Sequence, residues 1–253
     1  DFVDANLLFA GTEFAAYYSK DGGRHWGKIA GVPTIAVRDL AIQRRETDLV
    51  IGTFGRGVYV VDDYSPLRSA PADVAATLFR TRDALLYMPT QPYGGPAKAF
   101  QGEMLFAADN PPFGAVITYQ LKDSLRTLRE KRVATEKEAT KAGREIQYPP
   151  AADLRAEDQE AAPSILITLA HSTGKPVRTF TGPVAKGVQR VAWDLRLPAH
   201  VLPRPIPPED VDNPFADRAV GPFVGPGTYS VTLAQRVGGV VSALSGPQRF
   251  RVL

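Results

Sequence analysis

The chain has 253 residues, 44% of them apolar, and 30 Lys and Arg against 27 Asp and Glu for a formal net charge of +3. That is enough apolar side chain for a sizeable core in one or two domains, and the near balance of charge, with no basic cluster alternating with aromatics, excludes a nucleic-acid partner. The absence of cysteine excludes thiol catalysis, disulfides and thiolate metal sites, and no apolar run approaches the ~20 residues of a membrane span.

Gly and Pro, 22 of each, favour strands joined by many turns. The sequence opens on Asp1-Phe2-Val3, with neither an initiator Met nor a leader. We expect a fragment or processed product of a larger protein; the plainer alternative is a trimmed start.

Leu7-Leu8-Phe9-Ala10-Gly11-Thr12 reads as a buried strand ending at a glycine, and Ala15-Ala16-Tyr17-Tyr18-Ser19 as a second. Ser19-Lys20-Asp21-Gly22-Gly23-Arg24-His25-Trp26 follows and fits Ser-x-Asp-x-Gly-x-x-Trp. In such a turn the Asp21 carboxylate can accept backbone N–H groups, Gly22 and Gly23 can take positive φ, and Trp26 can cover the sheet edge. The alternative is an ordinary Asp-Gly-Gly hairpin beside a tryptophan. Trp26-Gly27-Lys28-Ile29 starts the next strand.

A second unit follows with Val37 to Ile42, Asp48 to Thr53 and Gly57 to Asp63 as strands. Gly11-Thr12 and Gly52-Thr53 occupy matching places 41 residues apart, each after an apolar strand and before an aromatic one. A period near 40 is that of a four-stranded propeller blade.

The Ser19, Asp21, Gly23, Trp26 pattern resembles the Asp-box of the sialidase and sortilin families. Residues 7–68, and most closely Val37 to Arg68, resemble the closing blades of bacterial sortilin-like and Asp-box propeller proteins. Members of that group often carry His where this chain has Phe54. The resemblance implies a mostly β chain: residues 1–68 as the last one to two blades of a β-propeller, the rest supplied upstream or by a companion chain. Two blades alone leave long sheet edges open, which natural proteins avoid.

Residues 69–114 read as a linker and irregular surface-packed segment, with short elements at 74–80 and 83–88 and five prolines among aromatics in 89–113. Residues 115–253 read as a β-sandwich. Its strands are Ala115 to Leu121, Ser164 to Ala170, Val177 to Phe180, Gly187 to Leu195, Gly227 to Leu233 and Gln248 to Leu253. The phrases Val177-Arg178-Thr179-Phe180, Val191-Ala192-Trp193-Asp194 and Pro226-Gly227-Thr228-Tyr229 resemble the immunoglobulin-like domain of the flagellar hook-capping type. Trp193 and Tyr229 are expected in its core rather than stacking on a ligand.

Two insertions interrupt this domain. Residues 122–148 hold eight basic and five acidic residues. The spacing of Leu121, Leu125 and Leu128, and of Ala139, Ala142 and Ile146, predicts a helix or helical hairpin with one thin apolar stripe packed on the sheets. Its charged face is solvated or docks an acidic partner. The second insertion, 198–226, is Pro-rich and holds Asp210, Asp212, Asn213 and Asp217, hard oxygen ligands in a spacing that matches no calcium loop.

We expect no metal and no cofactor. His25, His171 and His200 lie far apart, and there is neither a Gly-x-Ser-x-Gly elbow nor a Gly-rich nucleotide loop. The weak catalytic candidates are Glu13 and Arg56, at the ends of glycine-bounded strands; Arg38, Arg56 and Tyr59 are candidates for binding. Arg56 alternatively pairs with Asp62 or Asp63 to hold the last blade. Two functions stand open. One is a noncatalytic protein- or peptide-binding or scaffold module of a secreted propeller protein. The other is a glycan hydrolase of sialidase or related Asp-box type, whose carboxylate pair lies mostly on upstream blades. The resemblance implies an extracytoplasmic location, periplasmic or secreted.

Overall fold

The computed structural model describes residues 1–69, 74–88, 110–146, 148–200 and 219–253. Among these residues the chain is mostly β, built of antiparallel sheets, none of them closed. It divides into two compact units, Asp1–Pro71 and Ala72–Leu253.

The first unit holds two three-stranded sheets. One is ordered β1 (Leu8–Gly11), β2 (Ala16–Ser19), β3 (Gly27–Lys28); the other is β4 (Val37–Gln43), β5 (Asp48–Thr53), β6 (Val58–Val61). Alternation sends Leu49 and Ile51 of β5 inward, where they join Leu7, Ala16, Ile29, Val32 and Tyr64 in one core. β1 and β5 each run into a Gly-Thr pair, so the repeat read in the sequence is also a repeat of strand and turn.

A short helix, α1 (Pro66–Ser69), follows β6, and the segment around it carries an ion pair with no local sequence signature. The Asp1 side chain is fully buried. Its carboxylate accepts Arg68 Nε at 2.8 Å, Arg68 Nη2 at 2.9 Å, the Tyr64 hydroxyl at 2.6 Å, and the backbone N–H groups of Val3 and Asp4. The same guanidinium lies over the rings of Phe2 and Tyr64. This clasp fastens positions 1–4 to positions 64–68 of the same unit.

In the second unit two sheets share one core. One sheet is ordered β10 (Pro176–Gly182), β9 (Ser164–His171), β12 (Gly227–Val237), β13 (Val240–Val252). The other is β11 (Gly187–Trp193), β8 (Ala115–Leu121), β7 (Ala76–Leu78). Ile165, Ile167, Leu169, Tyr229, Val231, Leu233 and Phe250 from the first meet Ile117, Tyr119, Leu121 and Trp193 from the second. Trp193 and Tyr229 are core residues, 1% and 4% exposed, in edge-to-face contact at 5.6 Å.

The short element read at 74–80 is β7, in which Ala76 and Leu78 alternate inward and close the edge of β8. Three readings need correction here. β13 begins well before Gln248. Gly238 and Gly239, both at positive φ, make the two-residue loop of a type I′ hairpin, and Val237 pairs with Val240.

The helical insertion is two helices, α2 (Leu128–Lys141) and α3 (Ala151–Gln159), and neither buries a residue. Leu121 belongs to β8, Leu125 packs on the core ahead of the helix, and Leu128 is exposed, so no helical stripe is left to pack. What ties the helices together is ionic: Arg132 donates to both Glu157 oxygens at 2.7 and 2.9 Å and to Glu136 at 2.7 Å. Lastly, the second helix lies beyond residue 148, after Pro149-Pro150. The Asp210, Asp212, Asn213 and Asp217 cluster, and most of the 89–113 segment, lie outside the described residues.

Candidate functional site

Both Gly-Thr pairs build the same turn. Thr12 donates its backbone N–H and its hydroxyl to Ala15 O, each at 2.9 Å; Thr53 does the same to Gly57 O, at 3.1 and 2.7 Å. The second loop is one residue longer and takes up the extra residue with glycines at positive φ, Gly55 and Gly57. Both loops are stitched to residues 35–37 between the sheets. Ile35 N donates to Phe14 O at 3.2 Å, Val37 N to Thr12 O at 2.8 Å, and Phe54 N to Ala36 O at 2.9 Å. Glycine is required at 11 by close approach: a Cβ there would stand 2.6 Å from Val37 Cγ1.

These bonds gather two apolar loop tips at one end of the first unit. Phe14 and Phe54 are each 66% exposed, and Val58 is 65% exposed at the start of β6. Arg38 holds its guanidinium 5.0 Å from the centre of the Phe54 ring, a cation–π contact worth about 0.5–1 kcal/mol at an exposed site. Glu13 and Arg56 lie exposed in the same two loops. The arrangement is a rim of aromatic and cationic groups with the Glu13 carboxylate among them.

The structure thus brings Glu13, Arg38 and Arg56 to one end, with Phe14 and Phe54, which the sequence reading passed over as site residues. Their signal is positional: each is a large apolar residue within two positions of a Gly-Thr turn, where polar residues are usual. Tyr59 is not part of the rim; it alternates inward on β6 and packs against the core. Arg56 makes no ion pair with Asp62 or Asp63, and among the described residues it has no hydrogen-bond or ion-pair partner.

The Ser19, Asp21, Gly23, Trp26 turn lies at the other end of β2. Ser19 Oγ, 1% exposed, donates to Asp21 Oδ1 at 2.8 Å and accepts Gly23 N at 2.9 Å. Asp21 Oδ1 also accepts His25 N at 2.9 Å, and Oδ2 faces His25 Nδ1 at 2.5 Å. Gly22 and Gly23 take φ of 72° and 96°. Trp26 donates Nε1 to Gly23 O at 3.0 Å but is 45% exposed, so it closes the turn rather than covering the sheet edge fully. The backbone and ring of His25, then Ser19, hold the Asp21 carboxyl well below the usual carboxylate range.

The folded carboxyl titrates below the unfolded value near 3.9, so the turn's contribution is complete above about pH 5 and is lost as pH falls through the unfolded and then the folded pKa. Trp26 fluorescence is expected to report this acid loosening, and Asp21→Asn to remove the pH dependence. An Asp21→Asn protein with an unchanged acid transition would contradict it.

Among the described residues no group of three or more His, Cys, Asp or Glu is placed to hold a metal ion, and no helix is long and apolar enough to cross a membrane. No family model, curated protein or solved structure matches this chain.

Proposed function

We propose that this chain is a noncatalytic protein- or peptide-binding module, the closing part of a sortilin-like Asp-box propeller followed by an immunoglobulin-like domain. One observation carries the functional part of the reading: the rim of Phe14, Phe54 and Arg38. Exposed aromatics beside arginine are what recognition surfaces concentrate, whereas glycoside hydrolysis uses two carboxyl groups facing each other across a sugar.

The propeller part is supported by the matched Gly-Thr turns 41 residues apart, the hydrogen bonding of the Ser19–Trp26 turn, and the sheets whose outer strands have open edges among the described residues. Such edges are completed by strands from elsewhere on the same protein or from a companion chain. The immunoglobulin-like part is supported by two antiparallel sheets around Trp193 and Tyr229. The extracytoplasmic location follows from the family resemblance.

The test is a binding screen of the protein against peptide libraries and against sialylated and neutral glycans. Peptide binding is expected, with Phe14→Ala combined with Phe54→Ala weakening it roughly 10²–10³-fold, since hot-spot aromatics contribute about 2 kcal/mol each. Hydrolysis of a glycan that disappears on Glu13→Gln would instead establish the glycosidase reading.

A further inference from the structure

The pairing of α2 with α3 rests on two carboxylates. Neither helix buries a residue. Glu157 accepts Arg132 Nε and Nη2 at 2.7 and 2.9 Å. Glu160, the C-cap of α3, accepts the backbone N–H of Leu128, the first residue of α2, at 2.6 Å. Toward the connecting loop the helices leave a cleft of about 320 Å³, lined by Arg132, Glu136, Ile146, Tyr148, Pro149 and Leu154, where a packed apolar seam would otherwise hold them.

The base of the hairpin is fastened differently. Leu125 packs on the core of the sheets and donates its N–H to Val184 O at 2.9 Å. That core is apolar, and among the described residues the buried polar side chains of the second unit are Thr81, Thr118 and Ser164, none of which titrates in acid. Helices of 14 and 9 residues are marginal in water on their own. Acid therefore acts on the hairpin before it acts on the sheets.

We propose that α2 and α3 form an acid-opened arm: once Glu157 and Glu160 lose their charge, the helices part and fray while the two sheets stay folded. From α2, Arg132 and Arg129 face Glu157, and Glu136 shares Arg132 with it; Asp153, Arg155, Asp158 and Glu160 neighbour it along α3. The hydrogen bonds from Arg132, then the charges of Arg132 and Arg129, hold the Glu157 carboxyl below its ordinary value of 4.5. A carboxyl shifted in that direction stabilises the closed pair fully above the ordinary value, and its contribution is lost as pH falls through that value and then the folded one. Protonation of Glu157 leaves Arg132 with Glu136, a contact within α2 that does nothing to hold α3.

The chain has no cysteine, so spin labels at Lys137→Cys on α2 and Ala152→Cys on α3, both exposed positions, read the separation of the helices directly. A narrow distance distribution is expected at pH 7 and a longer, broad one at about pH 2.5, well below the ordinary glutamate range. Trp193 fluorescence, followed in a Trp26→Phe background, should be unchanged between the two. Glu157→Gln, which removes the charge without acid, should broaden the distribution at pH 7. A distribution as narrow in acid as at pH 7, one indifferent to Glu157→Gln, or opening that occurs only together with loss of the Trp193 signal overturns the proposal.

Discussion

Arg68→Ala is expected to destabilise the first unit by about 3–5 kcal/mol, the cost of leaving a buried charge without its partner. Asp1 has no exposed side-chain surface, and Arg68 is the cation that neutralises it through two hydrogen bonds. Removing the guanidinium also uncovers the faces of Phe2 and Tyr64. The loss is expected to be strongly non-additive. Asp1→Ala combined with Arg68→Met removes both charges and keeps an apolar filler, so the double variant should be markedly more stable than Arg68→Ala alone. The chain provides its own probe: it has two tryptophans, Trp26 in the first unit and Trp193 in the second. In a Trp193→Phe background, denaturant unfolding followed by Trp26 fluorescence reads the first unit. A double variant as unstable as the sum of its parts would show that the clasp is not acting as a pair.

The second large effect is at Trp193. Truncation to alanine is expected to cost the second unit about 3–5 kcal/mol. The indole is 1% exposed, meets Tyr229 and Phe250 edge to face at 5.6 and 6.3 Å, and donates Nε1 to Arg196 O at 3.0 Å. Alanine leaves a cavity between the sheets and takes from that carbonyl its shorter hydrogen bond, leaving it Arg178 Nη1 at 3.3 Å. Trp193→Phe keeps most of the volume and loses the hydrogen bond, so a smaller loss is expected. Circular dichroism during urea unfolding measures both. If Trp193→Ala cost less than about 1 kcal/mol, the indole would not be the centre of this core.

What the sequence made legible, and what it did not, follows the range of each interaction. Strands such as Asp48–Thr53 and Gly187–Trp193 are readable because each is a short β-branched and apolar run bounded by turn residues, and in both it is the burial that then alternates with the pleat. The Ser19–Trp26 turn is readable for the same reason: the bonds its Ser19, Asp21 and Trp26 side chains make fall within a few residues. The Asp1–Arg68 clasp joins residues 67 positions apart and writes nothing locally.

Other features were legible but went unread. Thr127-x-x-Glu130 is a capping box at the start of α2, with both reciprocal bonds formed, and Val237-Gly238-Gly239-Val240 is a two-residue hairpin signature. The helix stripe failed because Leu121, Leu125 and Leu128 fit a period of 3.6 across a strand end, a loop and a helix start. At the candidate site, residue types pointed to Glu13, Arg38 and Arg56. The aromatics between them became visible only when the two Gly-Thr loops were seen stitched to the same three residues.

We propose the first unit as part of a larger ring, its edges completed by strands supplied from elsewhere. Amide hydrogen exchange on this chain by itself tests it most directly. The outward amides of β6, Val58–Val61, should exchange at nearly the rate of an unstructured peptide, while those of β5 are slow. Adding the completing blades should then slow β6 to the rate of β5. Uniformly slow exchange across Leu8–Val61 in the isolated chain would show a self-sufficient unit and contradict the claim.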